Sequence, residues 1–548
     1  MTNGEASDVW GDEPVAVSDS SALVASRTPL SSALSHLSFF ALMSVLFLTF
    51  LDNTVVSPVL TNVQSELHAG VPQLQWVVGA YALAFASLML VSGSLGDLLG
   101  RKPVMLAGVA IFIAGSILSA IAQDPTFLIA GRIVMGVGAA GSEPGTLSMI
   151  RHIYPERQRR ARALGAWAAV SGLALAAGPV IGGVLVGLWS WRAIFWFNVL
   201  FGGVAFVVAL VALPNKPPEI RAPLDVAGFT LSTIALATAT FATIRAESIG
   251  YGASSIIALY VISLVAFVAF VVVESRVRSP MINLRYFARR TFLGANFVAF
   301  TTYFAIFSIF FFVALYLEVV VGVGAYRLAL DFLPLLAGMV VASLFSGRWV
   351  AKTGSRTPMM VGSMLAAAGV FLTNLVIGTH VGLGTLGWTM GLAGVGFGIV
   401  VVPVTSDALQ ALPAAHSGMA ASTVNTAREL GAVAGVAILG SIVNGQLTVH
   451  LTQRLIQIGV PASYRAEIIA ALTTGTIGAK AKQYQGGGAA IQAIIDKVVN
   501  AAYGAFTNGL HIALLVASGL MVVSALTALV GGTGVEANRG AEGSEALE

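Results

Sequence analysis

Apolar runs of about 20 residues recur from His36 almost to the C-terminus, each broken by a short polar stretch. Wound as a helix, a run of that length covers a hydrocarbon core of roughly 30 Å. The pattern predicts fourteen spans, at about 36–60, 74–95, 103–122, 126–148, 161–187, 192–213, 224–244, 255–273, 293–317, 328–349, 358–378, 384–410, 417–443 and 508–530. Residues 1–35 are polar and mildly acidic (Glu5, Asp8, Asp12, Glu13, Asp19) and lack the basic start and early apolar stretch of a cleavable signal. They read as a disordered cytoplasmic tail, with the first span acting as the insertion signal. Between the last two spans, 444–507 holds amphipathic stretches at 451–458 and 491–499 on either side of Gly486-Gly-Gly488. That predicts two short helices lying at the outer interface.

Composition makes the bilayer the solvent. Hydrophobic residues are 57% of the chain and charged residues 10%, against roughly a quarter charged in a soluble protein. The 60 glycines suit close helix packing, because small residues let backbones approach where no hydrophobic driving force exists. The formal charge of +4 is spread over short loops, so no basic face is offered to nucleic acid. Cysteine is absent, which excludes disulfides, a thiol nucleophile and cysteine-based metal sites. The seven histidines are scattered, which argues against a catalytic cluster, and no P-loop of a primary pump occurs. Nineteen of the 29 Lys and Arg fall in segments that an inside N-terminus makes cytoplasmic, and eight fall in outer segments. The positive-inside bias predicts an inner-membrane protein with both termini in the cytoplasm.

Gly93-Ser-Leu-Gly-Asp97-Leu-Leu-Gly100-Arg101-Lys102 aligns without gaps to Gly347-Arg-Trp-Val-Ala351-Lys-Thr-Gly354-Ser-Arg356, an offset of 254 residues. A repeat of that size implies two six-helix bundles, 36–213 and 292–530, the second including the outer segment 444–507. Residues 214–291 then carry two inserted helices, and 531–548 form a second cytoplasmic tail.

Four motifs follow one another along the chain. Leu51-Asp52-x-Thr54-Val55-Val56 lies in the first span and Gly93-x-x-x-Asp97-x-x-Gly100-Arg101-Lys102 after the second. Leu128-x-x-x-Arg132-x-x-Met135-Gly136-x-Gly138-Ala139-Ala140 occupies the fourth, and Gly165, Ala174 and Gly178-Pro179-x-x-Gly182-Gly183 the fifth. Together they resemble the fourteen-helix drug:proton antiporter branch of the major facilitator superfamily, over residues 36–443 and the last span. The resemblance implies an all-α membrane protein of major facilitator fold, two six-helix bundles plus two inserted helices. It links Arg132 to proton coupling, attributes transport direction to the Gly178-Pro179 motif, and makes the 93–102 loop a conformational latch. No cofactor or metal is expected, and a monomer whose partners are protons, a small-molecule substrate and the bilayer is implied. The chain departs from the family pattern at Leu98, where a basic residue is usual, at Met135, where glutamine is common, and at Ala174, where glycine is common. The usual Ala-Leu-Pro ending of the first motif is also absent.

The residues themselves support these roles. Glycines 93 and 100 permit a tight turn at the membrane face, and Asp97 beside a helix terminus can pair with cations of the neighbouring bundle. Arg132 inside hydrocarbon needs a cavity or a partner. By helical rise Asp52 sits roughly 12 Å below the outer edge, close in depth to Arg132, so the two can pair. The small-residue face of span five favours close packing, and Pro179 removes a hydrogen bond where the halves meet. Gly136, Gly138 and Gly141 spell GxGxxG, but mid-span and without a preceding strand, so a dinucleotide site is rejected.

Glu143 and Glu429 are the deepest remaining acids. Glu143 is either a substrate or proton determinant or a carboxylate bonded within its bundle. Arg428 and Glu429 are sequence neighbours that point apart on a helix, so one of them should face the C-terminal cavity. Glu318, Asp331 and Asp407 lie near span ends and are expected to be solvated. Phe300, Phe304, Phe307 and Phe311 share a helical face with Tyr303 at its edge, which is either a substrate wall for stacking and cation–π contact or a lipid-facing row. The resulting expectation is a proton-driven exporter of amphipathic drugs or lipophilic metabolites. An exporter of an endogenous lipid, siderophore or secondary metabolite is the alternative.

Overall fold

The computed structural model describes residues 32–56, 60–69, 71–215, 225–277, 280, 282–323, 325–378, 383–413, 416–457 and 489–532. Both expected tails fall almost wholly outside these residues. The chain forms fifteen described α-helices: α1 Ser32–Val55, α2 Leu60–Leu67, α3 Val71–Leu99, α4 Arg101–Ala120, α5 Pro125–Ile153, α6 Arg157–Leu188, α7 Arg192–Ala212, α8 Val226–Ile249, α9 Ser254–Arg276, α10 Arg290–Tyr316, α11 Ala325–Thr353, α12 Arg356–Val376, α13 Leu383–Gln410, α14 Ser417–Gln457 and α15 Ala489–Gly531. Thirteen of them are long and apolar enough to cross a membrane, and α6 contributes a fourteenth span as two stretches bent by 41°. Helix is what such runs must form, because hydrocarbon offers no partner for an unpaired backbone N–H or C=O. Polar starts are capped locally: Asp124 accepts from Phe127 N at 2.9 Å, and Asp225 accepts from Gly228 N at 2.8 Å.

Helices α1 and α3–α7 pack on one another, as do α10–α15. The two groups meet where α6 lies against α11 and α3 against α14. Helix α8 rests on both α3 and α14, with α9 outside it, so the inserted pair covers this second seam.

The 254-residue repeat has a structural counterpart at three positions. A Cβ on Gly93 would strike Ser422 and the Gly418 carbonyl at the start of α14, and one on Gly347 would strike the Ala161 carbonyl at the start of α6. Gly100 and Gly354 both turn the chain with positive φ, 98° and 78°. The third position concerns prolines. Pro144 in α5 and Pro403 in α13 cannot bond the carbonyls four residues earlier. Ser92 Oγ donates to the freed Ala140 carbonyl, and Ser346 Oγ donates to that of Ile399 at 2.7 Å. Ser92 and Ser346 are themselves 254 apart.

The outer segment differs from expectation. Its two amphipathic stretches continue α14 to Gln457 and begin α15 at Ala489, rather than forming separate interfacial helices. Leu451 and Leu455 bury against Val498, Ala502 and Ala505, so these side chains cover one another. Residues 458–488, including the triple glycine, lie outside the described residues.

At the opposite end from the 93–102 loop, Glu66 of α2 accepts from Trp191 Nε1 at 2.7 Å and pairs with Arg192, which also donates to the Ala122 carbonyl at 2.8 Å. Hydrogen bonding from Arg192 is the largest cause holding the Glu66 carboxyl below the usual glutamate value. A lowered folded pKa means that the clamp stabilises above the ordinary value of ~4.3 and weakens as pH falls through the lower one. In thermal unfolding of the purified protein, Glu66→Gln is expected to be less stable than wild type at pH 7. The difference should disappear on acidification below about pH 4, and a constant difference would exclude the clamp.

Candidate functional site

Two buried polar clusters lie among the spans. In the first, Arg132 of α5 forms an ion pair with Asp52 of α1, both at most 1% exposed. Three further contacts fix them. Asn198 of α7 donates to the other Asp52 oxygen at 2.8 Å, and Arg132 Nε donates to the Val77 carbonyl of α3 at 2.9 Å. The guanidinium also lies 4.5 Å from the centre of the Tyr81 ring. Four helices thus converge on one charge pair, and each carboxylate oxygen has a donor. Met135 offers Arg132 only a weak sulfur contact at 3.9 Å.

Asn198 is not singled out in the sequence analysis. Its signal is that of a lone amide in an otherwise apolar span, Ala193–Ala212. Asn198→Leu strips one donor from a buried carboxylate, with an expected loss of about 1–3 kcal/mol of stability. Thermal unfolding of the purified protein checks that loss, and unchanged stability would show that the amide is dispensable to the pair.

Thr54, two residues after Asp52, ties this cluster to the bend in α6. Pro179 leaves the Leu175 carbonyl without its helical partner, and Thr54 Oγ1 donates to that carbonyl at 3.0 Å. Gly178 permits the approach, since a Cβ there would strike Thr54. The small-residue face is therefore divided. Gly165 and Gly172 touch Ser343 and Met339 of α11, whereas Gly178 packs on α1, and Gly183 has nothing within 4 Å of its Cβ position. Gly182 is buried. The bend falls between Leu175 and Val180, so Gly178 and Pro179 lie within it.

The second cluster spans the halves. Arg428 of α14 donates to Asn425 Oδ1 at 2.9 Å and to Thr405 of α13, and lies 5.0 Å from the Trp167 ring of α6 and 5.3 Å from the Tyr303 ring of α10. Glu143 of α5 is in electrostatic range of Arg428 and Glu429. Arg428 and Glu429 are both buried. Glu143 Oε2, Arg428 Nε, Asn425 Nδ2 and Tyr303 Oη are buried without a hydrogen-bond partner among the described residues. Trp167, Thr405 and Asn425 escaped the sequence reading because single aromatic or polar residues in spans carry no periodic signal.

The expected aromatic wall is split. Tyr303 and Phe307 stack at 6.2 Å beside Arg428, whereas Phe300 and Phe304 pair at 6.3 Å on the stretch whose backbone meets Gly431 and Gly435 of α14. Phe311 is exposed and meets Phe312 edge-on. Helical spacing puts these rings on one face, but the close α10–α14 crossing uses part of it. Asp407, expected to be solvated, is 1% exposed within α13.

At the other end, Asp97 accepts from the backbone N–H groups of Gly418 and Met419, each at 3.0 Å, at the start of α14. Arg101 bonds the same carboxylate at 2.8 Å, and Lys102 caps the end of α7 through the Leu210 and Leu213 carbonyls, both at 2.7 Å. Arg151 of α5 reaches the Leu409 and Leu412 carbonyls at the end of α13. Anion at a helix start and cation at a helix end are the favourable placements for the peptide dipoles. Both join one half to the other, and Arg151 was not anticipated from sequence.

The sequence model of the Major Facilitator Superfamily matches residues 42–436. The chain belongs to this superfamily. Among its relatives is the multidrug resistance protein Stp of Mycobacterium tuberculosis, 29% identical over 479 residues, 87% of this chain and 88% of the relative. The methylenomycin A resistance protein of Bacillus subtilis is 32% identical and spans 72% of this chain and 84% of its own. The puromycin resistance protein pur8 of Streptomyces alboniger is also 32% identical, spanning 74% and 81%. The fold matches the crystal structure of the human organic anion transporter MFSD10, with a TM-score of 0.60 at 16% identity over 90% of this chain and 99% of that one. A bacterial homologue of the human lysosomal transporter Spinster, inward-facing, gives 0.56 at 16% identity over 92% and 100%. This member of the major facilitator superfamily is a multi-pass membrane transporter with the all-helical fold of that group, similar in sequence to drug and antibiotic resistance proteins.

Proposed function

We propose that this transporter is a proton-driven efflux antiporter, acting as a monomer in the cytoplasmic membrane with both termini inside. It exports amphipathic drugs or lipophilic metabolites. The observation that carries the proposal is the buried Asp52–Arg132 pair, held by Asn198 and Val77 and joined through Thr54 to the bend in α6. A buried ion pair is stable only while both partners are charged. Protonation of Asp52 removes the counter-charge of Arg132 and releases its hold on α5 and α7, and that step is available to drive a change of facing state. Glu143 and Glu429 tune the second cluster, where the substrate lies beside Tyr303 and Arg428. The six-helix halves move against each other along the α6–α11 and α3–α14 seams. With the 93–102 loop in the cytoplasm, the contacts of Asp97 and Arg151 close the inner end.

The test is efflux from proteoliposomes carrying an imposed pH gradient, with a panel of dyes and antibiotics. Substrate movement should follow the gradient and stop when a protonophore collapses it. Movement indifferent to the gradient would exclude proton coupling.

A further inference from the structure

The second cluster leaves four polar atoms from three helices without partners, on residues at most 2% exposed. Buried polar atoms are normally hydrogen-bonded, so four together at a seam between moving halves mark a place where a ligand completes the bonding. Arg428 Nε and Asn425 Nδ2 only donate, Tyr303 Oη can donate or accept, and an ionised Glu143 Oε2 accepts. Arg428 carries its charge permanently, and its other nitrogens bond the neutral oxygens of Asn425 and Thr405, not a carboxylate.

We infer that Arg428, Asn425 and Tyr303 form a subsite for a carbonyl or carboxylate oxygen of the exported molecule, whose flat apolar body lies beside Tyr303 and Phe307. The inference rests on the export reading and narrows its substrate class. Glu143 and Glu429 bring negative charge to the same region, so a permanent cation is the rival occupant. It offers no acceptor to Arg428 Nε and Asn425 Nδ2, and it meets the fixed charge of Arg428.

Three pyrene probes on one tether, ending in a carboxylate, a methyl ketone or a trimethylammonium group, separate these classes. Binding is measured by fluorescence on the purified full-length protein in detergent, without a gradient. The carboxylate and ketone should bind at least about tenfold more tightly than the trimethylammonium probe. Tyr303→Phe removes a hydroxyl that no protein group uses, so the fold is undisturbed. It should weaken the carboxylate and ketone by roughly fivefold to tenfold and leave the cation unchanged. Equal or tighter binding of the cation, no binding by any probe, or indifference of the carboxylate to Tyr303→Phe overturns the subsite. Gradient-driven export without selection among the probes sinks this inference alone. Selective binding with no gradient-driven export sinks the antiport reading and leaves the subsite standing.

Discussion

Asp52→Asn is expected to abolish gradient-driven efflux and to lower the stability of the purified chain by about 3–5 kcal/mol. The stability loss arises because Arg132, 1% exposed, keeps its charge and loses the only carboxylate bonded to it among the described residues. The Val77 carbonyl, the Tyr81 ring and the Met135 sulfur remain, and none can neutralise a buried guanidinium. Arg132→Gln should destabilise similarly by stranding Asp52. The double variant, with both charges removed and the shapes nearly kept, should recover most of the stability and none of the coupling. Thermal unfolding in detergent and efflux from proteoliposomes read the two effects separately. Wild-type efflux in Asp52→Asn ends the assignment, and a double variant no more stable than either single one shows that charge is not what holds α1 to α5.

Asp97→Ala should open the end that carries the 93–102 loop. The carboxylate receives two backbone N–H groups at the start of α14, and hydrogen bonds to a charged group contribute about 1.5–3 kcal/mol each. Losing about 3 kcal/mol shifts the ratio of closed to open forms by roughly a hundredfold. The chain has no cysteine, so Ser148→Cys introduces a single thiol, at a residue that bonds Ser417 across the seam at 3.3 Å and is 1% exposed. Maleimide labelling at that thiol should be slow in the otherwise native protein and at least tenfold faster with Asp97→Ala. Unchanged labelling would show that tight packing at Gly93, not Asp97, keeps this end shut.

How much of the site could be read from sequence depends on the kind of signal each residue leaves. Asp52 and Arg132 stand out because a charge in an apolar run is conspicuous, and helical rise alone puts them at one depth. Asn198, which completes the same pair, is a neutral amide and leaves no such mark. Pro179 announces a break in α6, yet that its freed carbonyl is received by Thr54 depends on how α1 crosses α6. The aromatic row of α10 shows the converse: spacing correctly puts Phe300, Phe304, Phe307 and Phe311 on one side, but which of them meets α14 is a matter of helix rotation. The outer stretches 451–457 and 491–499 are amphipathic in either arrangement, and only the presence of each beside the other decides between interface and mutual burial.

By itself the sequence determined the number of spans, their membrane solvent and the two halves related by 254 residues. Those follow from run length, apolar content and a local repeat, which are properties of neighbouring residues. Only the tertiary structure decided that Asn198 serves Asp52, that Arg151 ends α13, and that Arg428, Asn425, Tyr303 and Glu143 share one unsatisfied cluster. These pairings join residues up to several hundred positions apart, and hydrogen bonds reach only about 3 Å. The crossing and rotation of whole helices therefore select the partners, and no local pattern records that choice.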